Sequence, residues 1–254
     1  MISNKEDKMK RMWNMMGLVF FLGMMLLAMD SLAASAGAQG VKAKESMFSL
    51  IMKGGPVMIP LGLASVLALA LAIERSLSLS RNRIIPPGFM DSFKTIMSED
   101  PSGKKAIQFC EEHRGPVGNI FKSGLQKLGK GDEALEKAVE DAGFREADKM
   151  KRSLRGLSII VTVAPLLGLL GTVYGMISAF ETASSAGVGK ADVLAKGIYE
   201  ALVTTAAGLT IAIPVLLVFQ FLNNRVDTII DKLDEMGIDF MTHCTEKTES
   251  QGKE

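Results

Sequence analysis

Glu200 makes the strongest chemical demand of any residue in this chain. It stands at the head of Ala201–Asn224, a run without a charged side chain. An ionisable group in or beside a membrane is costly to keep and is therefore a functional candidate. Threonines gather near it. Thr204, four residues on, shares its helical face, whereas Thr205 is offset by about 140° and lines a pore only beside it. Thr172 sits in another charge-free run, Gly156–Phe180, about 6 Å outside its middle by helical rise. A hydroxyl both donates and accepts, so it orders water without carrying charge. One carboxylate among hydroxyls forms a polar seam better suited to passing protons than to holding a large substrate. It cannot relay protons across a whole membrane. Asp, Lys, Arg and His are absent from the charge-free runs, so a partner must bring the second titratable group. The depth of Glu200 is open. Measured from the middle of Ala201–Asn224 it lies about 18 Å out, near headgroups, but a span beginning nearer Val193 places it well inside.

The other residues of these runs are mostly small. Ala164, Gly168, Gly171, Thr172, Gly175 and Ala179 recur at three-to-four spacing, as do Gly197, Ala201, Thr204, Thr205, Gly208 and Ala212. Such stripes let two helix backbones approach closely in lipid. Packing is thus the plain role expected of Gly168, Gly171, Gly175, Ala201 and Gly208. Pro165 and Pro214 each free a carbonyl and are expected to kink their helices.

The elements that must position these residues follow from how charge is distributed. The chain has 254 residues, 29 basic and 28 acidic, and is 48% hydrophobic, with a mean hydropathy of +0.23. A formal charge of +1 gives no electrostatic footprint for nucleic acid. Apolar and charged residues are segregated rather than interleaved. Gly54–Ile73, Gly156–Phe180 and Ala201–Asn224 are each long enough to cross about 30 Å of hydrocarbon as helices. The fold class is therefore all-α, an integral membrane protein with three transmembrane helices. An aromatic content of 6% argues against a barrel with aromatic girdles.

Residues 1–38 read as a signal peptide: basic Lys5, Lys8, Lys10 and Arg11, apolar Met12–Met29, then A-x-A sites after Ala36 or Ala38. An uncleaved N-terminal span is the alternative. The expected order is then an exported segment 39–53, spans at 54–73, 156–180 and 198–224, a loop 74–155, a short connection 181–197 and a tail 225–254. Near the span ends, Arg75, Arg81, Arg83, Lys149, Lys151, Arg152, Arg155, Arg225 and Lys232 lie on one side. Lys42, Lys44, Lys53, Lys190 and Lys196 lie on the other. The richer side is cytoplasmic, which places the loop and the tail there and the mature N-terminus across the membrane, on the periplasmic side. One amphipathic helix is expected from about Asp132, as N-cap, through to Phe180, about 70 Å long. The polar extensions of spans two and three should form a helical bundle below the membrane. Cys110 and Cys244 then face a reducing compartment, with no disulfide. Cys110 with His113, and His243 with Cys244, are two isolated pairs that do not make a metal centre. No cofactor is implied. The chain has no Walker A loop, no nucleophile–base pair and no G-x-G-x-x-G spacing, so no enzyme is expected.

Two strings carry a resemblance. Ala164-Pro165-Leu166-Leu167-Gly168-Leu169-Leu170-Gly171-Thr172-Val173-Tyr174-Gly175-Met176 is followed by Gly197-Ile198-Tyr199-Glu200-Ala201-Leu202-Val203-Thr204-Thr205-Ala206-Ala207-Gly208-Leu209, then by Ala212-Ile213-Pro214. In order and spacing they resemble the ExbB/TolQ/MotA proton channel family, over about Phe48 to Leu233. The signal-like extension is closest to ExbB members with an extended periplasmic N-terminus. The resemblance implies a homopentamer whose second and third spans surround a pore. It implies an ExbD-like single-span partner supplying a membrane aspartate, and a TonB-like protein that carries the work of proton flow to outer-membrane receptors. Thr172 and Thr205 match the family's pore-lining threonines, and Glu200 matches its span-three glutamate. A TolQ-like role in outer-membrane integrity is the alternative within the family. A passive scaffold, with the stripes only packing, is the alternative outside it.

Overall fold

A computed structural model describes residues 55–80, 84–100, 102–185 and 191–251, with backbone alone at 193 and 246–251. The expected signal peptide 1–38 and exported segment 39–53 lie outside the described residues, as do residues 186–190 of the connection between spans two and three. Among the described residues the regular structure is helical: α1 (Met58–Ser78), α2 (Phe89–Glu99), α3 (Lys104–Glu112), α4 (Pro116–Leu125), α5 (Asp132–Ser153), α6 (Arg155–Ser185) and α7 (Ala191–Gln251). Three stretches are long and apolar enough to cross a membrane: α1, the α6 part of Asp132–Ser185, and the apolar part of Leu194–Thr245.

The helices outrun the charge-free stretches. α6 continues to Ser185 and α7 already begins at Ala191, so most of 181–197 is helix rather than connection. α1 begins at Met58, after Gly55 at φ 69° and a turn closed by the Met58 amide on the Gly55 carbonyl at 3.1 Å. Both α6 and α7 run on through Pro165 and Pro214. One local expectation is corrected and another refined. Asp132 is not the N-cap of α5. Gly131 takes that place at φ 97°, a left-handed conformation that an aspartate would adopt only with strain, and Asp132 and Glu133 form the first turn. Their charges suit the positive helix end, as Lys151 and Arg152 suit the other. The long helix expected from 132 to 180 is present as one stretch over Asp132–Ser185, with a single irregularity. At Leu154 the amide bonds the Lys151 carbonyl at 3.1 Å, while the Ser153 hydroxyl donates to the Met150 carbonyl at 2.6 Å, and the ladder tightens for a residue between α5 and α6.

The chain divides into two compact units, Met1–Ala70 with Leu157–Val218, and Leu71–Gly156 with Phe219–Glu254. In the first unit Met58, Leu61, Ala164 and Ala212 form the buried core, with Leu167, Ala207 and Ile211 packed on it. Its outward side chains are apolar too, including Leu63, Val66, Leu166, Leu202 and Ile213, each more than half exposed. That pattern suits lipid or neighbouring apolar helices rather than water.

The second unit has the inside-out pattern of a protein in water. Phe89, Phe93 and Met97 of α2 recur every four residues and are buried. Phe93, Phe121 and Phe240 meet pairwise at centroid separations of 4.9, 5.4 and 4.6 Å. They join α2, α4 and the C-terminal part of α7 in one aromatic core. Gly124 makes room for this: a Cβ there would stand 2.5 Å from the Phe240 ring and 2.8 Å from a Val139 methyl. Cys110 and Cys244 are buried and are not in a disulfide.

Candidate functional site

The site is built where α6 and α7 press their small residues together. Ala164, Gly168 and Gly171 on α6, and Ala201, Thr204, Gly208 and Ala212 on α7, are all buried. A Cβ on Gly168 would lie 3.0 Å from the Thr204 carbonyl oxygen and 3.1 Å from the Thr205 Cα. One on Gly208 would lie 2.8 Å from the Ala164 carbonyl oxygen. Gly175 fits over Ala201, whose Cβ would be 2.8 Å away, and Gly197 fits against Ala179. These are backbone-to-backbone approaches, so the residue types, and not merely their polarity, set the spacing of the two helices.

At that spacing hydroxyls reach across. Thr205 Oγ1 donates to the Gly168 carbonyl at 2.9 Å. Thr204 Oγ1 donates to the Ala201 carbonyl at 2.7 Å and lies 3.4 Å from the Gly168 carbonyl oxygen. Thr172 Oγ1 donates to Leu169 of its own helix at 2.6 Å. Gly168 is also the residue whose carbonyl helical geometry assigns to the Thr172 amide. Thr172 and Thr205 are thus linked through one carbonyl, on two different helices. In each case the hydroxyl proton is committed to the backbone, and what the oxygen still offers is lone pairs.

Glu200 lies elsewhere around the same pair of helices. It stands in the third turn of α7, about 14 Å along the axis from Ala191. It is half-buried and faces a cavity of about 660 Å3 between α6, α7 and the start of α1. Thr204 and Ala201 line this cavity with it, as do Gly171 and Gly175. Thr172 and Thr205 do not. The structure therefore brings Glu200 and Thr204 together, and Thr172 and Thr205 together, as two adjoining groups that meet at the Thr204–Gly171–Gly168 contact.

Four polar lining residues were not anticipated: Tyr174, Ser178, Thr182 and Lys196. The signal was present. Gly171, Tyr174, Gly175, Ser178 and Thr182 follow three-to-four spacing along α6, and Lys196 is one turn before Glu200. Lys196 shares the cavity with Glu200, yet the two do not close to an ion pair within 4 Å among the described residues.

The possible metal pairs stay apart from this site. Cys110 lies in the second unit, where burial pushes its thiol up to about 12. His113 Nδ1 is 3.0 Å from the Phe109 carbonyl oxygen, and the ring packs on Phe109. Among the described residues no three His, Cys, Asp or Glu side chains gather as metal ligands.

Comparison with known proteins adds a family. Residues 112–235 match the MotA/TolQ/ExbB proton channel family, a range that holds α4, α5 and α6 and about the first three-quarters of α7. A biopolymer transport protein of Synechocystis named ExbB-like 1 is 38% identical over 67% of this chain and 68% of its own length. The biopolymer transport protein exbB1 of Vibrio cholerae is 30% identical over 75% of this chain and 85% of its own. A Tol-Pal system protein TolQ of Pseudomonas aeruginosa is 26% identical over 74% and 87%.

Proposed function

The chain belongs to the MotA/TolQ/ExbB proton channel family, and from that premise we propose that it is an ExbB-like subunit of a proton-driven motor in the bacterial inner membrane. In this reading several copies, five by family resemblance, surround a narrow wet passage with α6 and α7. The passage is completed by an ExbD-like single-span helix that carries an aspartate. A TonB-like partner transmits the resulting work to the outer membrane. The loop 74–155 and the tail from 225 lie in the cytoplasm, and the mature N-terminus lies in the periplasm.

The observation that supports this most is the hydrogen-bond state of the threonines. The Thr172 and Thr205 hydroxyl protons are spent on backbone carbonyls. Their oxygens therefore present acceptors to whatever stands before them. An acceptor favours water, or a carboxylic acid in its protonated form; an ionised carboxylate would find no donor there. The threonines thus help the partner's acid pass through the membrane neutral, and the proton leaves where water replaces them. Glu200, with Thr204 at its side and Lys196 one turn away, sets the field at the periplasmic end of this path. Each proton moved down 100 mV yields about 2.3 kcal/mol, so a few suffice for mechanical work.

The test is reconstitution of the chain with its single-span partner in liposomes, read by a pH-sensitive dye. Thr172→Val removes the acceptor and should abolish proton flux while the oligomer still assembles. Thr172→Ser keeps the acceptor and should retain it. Equal flux in all three proteins would refute the polar-path reading and favour a packing scaffold. A TolQ-like role is the second reading, favoured by the TolQ relative that matches over most of its length. Co-purification of a TolA-type rather than a TonB-type partner decides for it.

A further inference from the structure

The unit formed by Leu71–Gly156 and Phe219–Glu254 holds a second cavity, of about 860 Å3, that proton passage does not use. Its wall gathers charge from separate segments. Arg75 comes from the end of α1, Glu111 from α3, Arg114 from the turn after it, Lys122 from α4, and Glu146 and Lys149 from α5. That is four cations against two carboxylates, and both carboxylates are engaged. Glu111 accepts from Lys122 Nζ at 2.7 Å. Glu146 accepts from the Asn119 amide at 2.8 Å and has its other oxygen 3.9 Å from Lys149 Nζ.

The guanidiniums are less fully matched. Arg75 Nε is buried without a hydrogen-bond partner, while its Nη2 makes an ion pair with Glu74 at 3.6 Å. A buried N–H of this kind remains unfavourable until something accepts from it. Arg114 forms no ion pair among the described residues. Gly115 and Pro116, the N-cap and first residue of the ten-residue α4, line the same wall. No side chain caps that helix and no acid stands in its first turn. The positive helix end adds to the excess of cations. The field registers on Glu111, whose carboxyl is held below its ordinary value by the Lys122 hydrogen bond and charge, with Arg114 adding to it. Ser78 and Ser153 bring hydroxyls to the rim.

We propose that this cavity binds a phosphate-bearing anion, with Arg75 and Arg114 as the forks that hold its oxygens. An Arg114 without an ion pair, an Arg75 paired only at 3.6 Å with Glu74, and a bare helix start suit a tetrahedral oxyanion better than a single carboxylate. The volume admits the organic group that carries the phosphate. Two sources share this chemistry, a soluble phosphate ester and a phospholipid headgroup.

The test uses the full chain, purified in neutral maltoside detergent and stripped of lipid. Calorimetric titration with glycerol 3-phosphate at low salt probes the soluble source. Native mass spectrometry after incubation with phosphatidylglycerol probes the lipid. Arg75→Gln and Arg114→Gln should each weaken the bound species by about tenfold, as loss of a charge-assisted contact does. Lys104→Gln, an exposed cation on α3 outside the cavity, should leave binding unchanged. Arg114 is exposed, so its replacement tests the site even where Arg75→Gln perturbs folding. Saturable glycerol 3-phosphate binding that these variants lose upholds the proposal with a soluble ligand. Phosphatidylglycerol retention that they lose upholds it with a lipid. Absence of both, or binding within about twofold of the parent in both arginine variants, overturns it.

Discussion

At the scale of the residue, Glu200 carries the sharpest prediction. Its carboxylate is half-buried in a cavity with Thr204, Lys196, Tyr174 and Ser178. Glu200→Gln keeps the shape and removes the charge. Outer-membrane transport driven by the proton motive force should fall tenfold or more at equal protein level, about 1.4 kcal/mol or more at the coupling step. Full transport would assign the residue to the headgroup region with no part in coupling. Cys110 offers an independent test in the other unit. With its thiol at about 12 instead of 9.0, the folded protein holds about a thousandfold less thiolate near pH 8. Iodoacetamide should therefore spare Cys110 in the folded protein and modify it in denaturant, as read by peptide mass spectrometry. The sign for stability follows. The unfolded thiol loses its proton from about pH 9 upward while the folded one keeps it, so the contribution is full below pH 9 and is lost as pH rises toward 12. Glu200, Thr172 and Thr205 were legible as residues because a polar group in a charge-free run stands out. Their grouping was not. Whether Thr172 meets Glu200 or Thr205 depends on the register of α6 against α7, which backbone contacts at Gly168 and Gly208 set and no single helix encodes.

At the scale of the element, the glycines separate those that fix a contact from those that only fill a helix. The Gly208 Cβ position is blocked by the Ala164 carbonyl oxygen and the Gly168 Cα, atoms that cannot rotate away. Gly208→Val should push α6 and α7 apart, with loss of protease resistance and of assembly. Gly143 on α5 has nothing within 4 Å of its Cβ position, so Gly143→Ala should be tolerated and should favour the helix by about 1 kcal/mol. Phe240→Ala should cost about 3–5 kcal/mol by emptying the aromatic core it shares with Phe93 and Phe121. Faster hydrogen exchange in α2 and α4 would reveal it; unchanged exchange would show that this core does not hold the unit together. Hydropathy made the apolar helices visible, and their ends were hidden for a definite reason. Charge marks where lipid must stop, not where hydrogen bonding stops, so α6 and α7 run past Glu181 and Lys196. Gly131 displaced Asp132 as the cap for a similar reason: the backbone angle of the turn outweighed the side chain's capping ability.

At the scale of the whole molecule, the apolar side chains left outward on α1, α6 and α7 must meet lipid or other apolar helices. Ile59, Leu63 and Val66 on α1 are 68–70% exposed, and Leu166, Ile177 and Phe180 on α6 are 56–59% exposed. Thr172 stands among the latter, half-buried, with acceptor lone pairs that hydrocarbon cannot satisfy. A single copy in a bilayer would leave that oxygen against acyl chains; the proposed ring of copies would turn it toward a shared interior. The excess of Lys and Arg flanking the loop 74–155 predicts that this loop faces the cytoplasm. Both expectations can be read by maleimide labelling. In a Cys110→Ala, Cys244→Ala background, Lys104→Cys should react with an impermeant maleimide only after the cells are opened, whereas Thr172→Cys should react with a small maleimide in the assembled complex, where water lets the thiol ionise, and resist it once dissociated to single chains in lipid. Labelling of Lys104→Cys from outside would invert the topology. Reaction of Thr172→Cys at equal rates in assembled and dissociated protein would place that flank against lipid, and a channel made of these helices would then have no polar wall.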